Sequence, residues 1–104
     1  MKTAKDILVC ARDLISDPAR WTQGRFARKE DGNEVNPTDP AACKFCAYGA
    51  IRHCQGLSIA TAKAEKALAQ AASETYSRSA VVVNDYLGHK AILKVFDDAI
   101  AQQP

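Results

Sequence analysis

The chain has 104 residues, of which 47% are hydrophobic and 25% charged, and its net charge is +2. That composition belongs to an ordinary globular domain and excludes a disordered tail, a collagen-like repeat and a disulfide-dense miniprotein. No apolar run approaches the ~20 residues that span a bilayer, so no membrane partner is expected. Residues 1–56 carry nine Lys/Arg against seven Asp/Glu, and residues 57–104 carry five of each. So slight a basic excess argues against a phosphate-neutralising surface, and nucleic acid is not the expected partner.

In chain order, Thr3 to Ser16 reads as an amphipathic helix, with Ile7, Leu8, Ala11, Leu14 and Ile15 on one stripe. Thr3 with Asp6 resembles a capping box, and Asp17-Pro18 ends the helix. Arg12, Asp13 and Asp6 break up any apolar leader, so a cytoplasmic location with reduced thiols is expected. From Trp21 to Asn36 turn residues dominate, and Arg25–Lys29 with Glu34–Val35 read as a short β-hairpin. Trp21 and Phe26 are its expected anchors.

Asp39-Pro40 reads as the start of a second helix, which Gly56 ends. Cys43, Cys46, Ala47, Ala50 and Cys54 would share its buried face, and Gly49 marks a place where another backbone comes close. Ser58 to Ser77 is an alanine-rich third helix. Ala80–Val83 is a β-branched run, read as a strand or an extended entry into the last helix. Asn84–Gly88 reads as a turn, and Lys90 to Gln102 as the fourth helix, with Ile92, Val95, Phe96, Ala99 and Ile100 inward. The expected fold is a single domain, 1–104, mainly α, with four helices and a small hairpin between the first two.

Cys43-x-x-Cys46, with Cys54 and His53 or His89, has half the spacing of a zinc site but no second knuckle. Cysteine packs readily as a small hydrophobe, so neither a metal nor another cofactor is expected. Cys46 with His89 and Asn84 or Asp85 supplies the residue types of a thiol hydrolase or transferase. The plainer reading makes Asn84-Asp85 a turn and His89 a helix-start residue. Arg20, Arg25, Arg28 and Lys29 around Trp21 and Phe26 could form a basic aromatic surface, but Glu30, Asp31 and Glu34 dilute it. Four free thiols are expected.

Trp21-x-x-Gly24-x-x-Ala27-Arg28, Asp31-Gly32, Asp39-Pro40-x-Ala42, Cys46-x-x-Gly49-Ala50-Ile51 and Asn84-Asp85 follow one another in this order. This combination resembles a bacterial and phage domain family of unknown function. The family often has an aromatic residue before the N-D pair, where this chain has Val83. The resemblance implies one domain across nearly the whole chain and no particular chemistry. An Arg28–Asp85 ion pair is expected to clamp the β element to the helices; the sharper version is that Trp21, Arg28, Asn84 and Asp85 line a ligand site at that junction. A non-enzymatic module that binds a protein partner is the expected function; thiol catalysis by Cys46 with His89 or Asp85 is the alternative, and a metal- or nucleic-acid-binding accessory protein a third.

Overall fold

The computed structural model describes residues 2–104. Helix α1 (Ala4–Leu14) begins with the capping box the sequence implies: Thr3 Oγ1 accepts from the Asp6 amide, and the Asp6 carboxylate accepts from Thr3 N. Ile7, Leu8, Ala11 and Ile15 are fully buried. Asp17 caps a 3₁₀ turn at Pro18–Arg20, and the chain then crosses a small sheet.

That sheet differs from the expected hairpin. Strand β1 (Ala27–Arg28) pairs antiparallel with β2 (Lys44–Phe45), and residues 33–35 add a single bridge, Arg28 to Glu34, on the other side of β1. The tight turn at Gly32 is as expected: Gly32 N donates to Lys29 O, and Lys29 N to Asn33 O. Trp21 lies against Phe45 in a parallel bridge. Phe45 is fully buried and is the aromatic anchor, whereas Phe26 is 41% exposed. Alternation along β1 explains this, since Ala27 points into the core and its neighbour Phe26 points out.

Helix α2 (Ala47–Gln55) starts seven residues later than Asp39-Pro40 suggests. Asp39 does cap, but it caps an isolated turn, accepting from Ala41 N at 2.7 Å, before the chain extends into β2. Cys46 is the true N-cap, its Sγ accepting from Gly49 N. Cys43 therefore lies outside the helix, and Cys43 and Cys46 share no helical face. Helix α3 (Ile59–Tyr76) runs from its Ser58 cap to Ser77, as expected. The Val81–Val83 run is helical: Ser79 caps α4 (Ala80–Val82), and a π-turn at Val83–Leu87 follows directly. Helix α5 (His89–Ala101) completes five helices among the described residues, with Ile92, Val95, Phe96 and Ala99 buried. The fifth arises because burial of Ala80 and Val83 against the core outweighs the weak β preference of valine.

Cys10 on α1 and Cys54 on α2 form a disulfide, with Cα atoms 6.2 Å apart; Cys43 and Cys46 are free. This overturns the expectation of four free thiols. The two helices pack side by side, which brings together two cysteines with nothing local in common.

Gly49 is a close-contact position, as its place in α2 implied. A Cβ there would overlap the Phe26 carbonyl oxygen and lie 2.7 Å from its carbon. Both neighbours are backbone, so the contact cannot be relieved by a side-chain rotation. Gly49→Val is expected to cost about 2–3 kcal/mol by overpacking, measured by urea unfolding; an unchanged midpoint would contradict this close approach.

Candidate functional site

Three segments distant in sequence meet at one side chain. The π-turn, closed by Gly88 N donating to Val83 O at 3.1 Å, turns Asn84 inward until it is 1% exposed. π-turns within helices recur at functional sites. The Asn84 Oδ1 accepts from the Trp21 indole at 2.8 Å and from Ala47 N at 3.1 Å. Its Nδ2 donates to Thr22 O at 3.1 Å and to Asp85 Oδ1 at 2.9 Å. One amide thus satisfies the loop before β1, the first turn of α2 and its own neighbour. Such a fully bonded buried amide fixes geometry, because any slip leaves several polar groups unpaired.

Asp85 and Gln23 extend this knot. Gly24 N donates to Asp85 Oδ1 at 3.1 Å, and Gln23 Nε2 donates to the carbonyls of Asn84 and Asp85 at 3.1 and 2.9 Å. Sequence reasoning passed over Gln23; only its place two residues after Trp21 could have drawn notice. Arg28 forms no ion pair with Asp85. It donates to Thr22 Oγ1, Gly32 O and Gln23 O at 2.9, 3.0 and 3.1 Å. The expected pair is replaced by two grips on the same loop, Arg28 holding Thr22 and Gln23 while Asp85 holds Gly24. The guanidinium's fork suits it to several carbonyl oxygens at once.

Beside the knot lies an open cavity of about 430 Å³, with Phe26, Cys46, Tyr48, Val81, Asn84 and Asp85 among its walls. Asn84 and Asp85 line it; Trp21 and Arg28 stand behind, supporting the loop, and do not line it. A second hollow, of about 690 Å³, continues past Phe26 and Glu34, which both cavities share, toward Pro37 and Leu57.

Cys46 faces the groove, but its thiol is not a poised nucleophile. Burial pushes its pKa up, the Gly49 and Tyr48 amides oppose this only in part, and the Asp85 charge adds to the rise. The thiol is therefore neutral at neutral pH, where a nucleophile would need to be thiolate. His89 is not among the groove's lining residues. Its Nε2–H donates to Ile15 O at 2.6 Å, and its ring packs on Trp21 with centroids 5.1 Å apart. The groove brings together Cys46 and Asp85 without His89. His53 is likewise engaged, donating from Nδ1 to Pro37 O at 2.7 Å. Among the described residues no group of three His, Cys, Asp or Glu side chains could hold a metal ion, and no helix is long and apolar enough to cross a membrane.

A family model described as a family of unknown function, DUF6197, matches residues 1–102. No curated protein matches the chain, and no solved structure does.

Proposed function

The chain belongs to the DUF6197 family of unknown function, and we propose that it is a non-enzymatic binding module that holds part of a protein partner in the groove beside Asn84. The observation that carries this is the groove itself: a preformed concavity with mostly apolar walls and a few fixed polar groups. Ligand-binding sites characteristically have this composition. The floor is rigid because Asn84 joins three segments at once, so little conformational entropy would be lost on binding.

The surroundings support a protein rather than a free metabolite. The groove is open on one side, and Val81 and Phe26 on its walls are 49% and 41% exposed. Exposed apolar groups gathered at a concavity are characteristic of interaction surfaces. The hollow beyond Phe26 gives an extended segment room to continue. The resemblance of the chain's motifs to a bacterial and phage family supports a module that is itself encoded by a phage or mobile element.

Thiol chemistry is the poorer reading. Cys46 and Asp85 share the groove, but a carboxylate near a buried thiol opposes its ionisation, and the histidine that could take the proton is bonded elsewhere.

A ¹⁵N–¹H titration with small soluble aromatics such as phenol and indole tests the reading. The amides of Gly24, Ala47, Tyr48 and Asp85 are expected to shift together and to saturate. Shifts confined to the neighbourhood of Leu57, or no saturable shifts, would contradict it.

A further inference from the structure

We infer that the groove takes a cationic head on an aliphatic stem, the lysine or arginine side chain of a partner protein, with the head on Asp85. This rests on reading the groove as a binding site and names what enters it.

Three charged residues line the groove: Arg25, Glu34 and Asp85. The first two neutralise each other, Arg25 Nε lying 3.5 Å from Glu34 Oε1 while its Nη1 donates to Gly24 O at 2.8 Å. Asp85 is the one of the three with no ion pair among the described residues.

The two oxygens of Asp85 differ. Oδ1 accepts from Gly24 N and from Asn84 Nδ2. Oδ2 has no hydrogen bond and no ion pair among the described residues, although the residue lines the groove. The carboxylate is thus oriented through one oxygen and open at the other. An anion entering the groove would be repelled by this charge. A purely apolar group would cover Oδ2 without replacing its water, which is costly for a charged oxygen. A cation gains a charge-assisted hydrogen bond there.

The walls suit the stem of such a side chain. Phe26, Tyr48 and Val81 offer an apolar surface for methylenes, and long basic side chains characteristically bury the stem while the head stays polar. Phe26 already receives a cation inside the protein: the Arg52 guanidinium carbon lies 4.6 Å from its ring centroid.

The test compares Nα-acetyl-lysine N-methylamide with the norleucine analogue, which has a similar stem and no ammonium. Both are titrated into the oxidised full chain and followed at the Gly24 and Asp85 amides. The lysine compound is expected to bind about tenfold more tightly, as one charge-assisted bond allows, and Asp85→Asn to abolish the preference. Should Asp85→Asn not fold, raising salt from about 0.05 to 0.5 M on the wild type must shrink the preference instead. Norleucine binding as tightly as lysine would overturn the cation while leaving the groove a binding site. Neither compound shifting the groove amides would overturn both readings. Pentylamine binding more than about tenfold tighter than the lysine compound would assign the site to a free amine and overturn the partner side chain.

Discussion

Asn84→Ala is expected to destabilise the fold by about 3–5 kcal/mol, a large part of the ~5–15 kcal/mol that holds a domain of this size together. The substitution strands three groups that Asn84 satisfies: the Trp21 indole N–H, Ala47 N–H and Thr22 C=O. Each buried group left unpaired costs about 1–3 kcal/mol, and the side chain's volume is lost besides. The melting temperature should fall by roughly 15–25 °C. Asn84→Asp is not expected to rescue it. The acceptor oxygen would return, but the donor to Thr22 would not, and two carboxylates would adjoin where Nδ2 now donates to Asp85. A loss below about 1 kcal/mol for Asn84→Ala would mean that water replaces the amide and that the three segments are not joined through it.

Breaking the Cys10–Cys54 bridge is expected to cost a similar amount. A cross-link with a sequence separation of 44 residues restricts the unfolded chain by about 4 kcal/mol in the loop-entropy picture. Cys10→Ser and a dithiol reductant should lower stability to the same extent. Thiol titration in denaturant should find two thiols before reduction, from Cys43 and Cys46, and four after. Four thiols before reduction would contradict the bridge.

The sequence was most informative where structure is local. Thr3 and Asp6 announce the start of α1, Ser58 the start of α3 and Gly56 the end of α2, because a cap is decided within one turn. Local signals misled where two competed. Asp39-Pro40 is a stronger helix start than Cys46, yet Asp39 caps a turn, because pairing of Lys44–Phe45 with β1 takes the intervening chain. The Val81–Val83 run favours a strand until Val83 finds the core.

The site was legible only in its parts. Trp21, Arg28, Asn84 and Asp85 stand out in the sequence, and the structure does bring them to one region. Their roles were not readable, because they depend on partners as many as 63 residues away, as in the bond from Trp21 to Asn84. An arginine and an aspartate without apolar duties suggest an ion pair; the fold uses both on the loop between them. Cys10 and Cys54 are the extreme case, since no spacing rule joins two cysteines on helices that only the tertiary fold makes neighbours.

Asn84 ties the Trp21 loop, the first turn of α2 and the π-turn together beside the groove. Hydrogen exchange of the Trp21 indole N–H and the Ala47 amide reads this directly, since both donate to the Asn84 oxygen. Both protons are expected to exchange only on global unfolding, with protection close to that of the most protected core amides of α5. Exchange of either at the rate of an open loop would show that the knot does not persist, and the groove would then not be preformed.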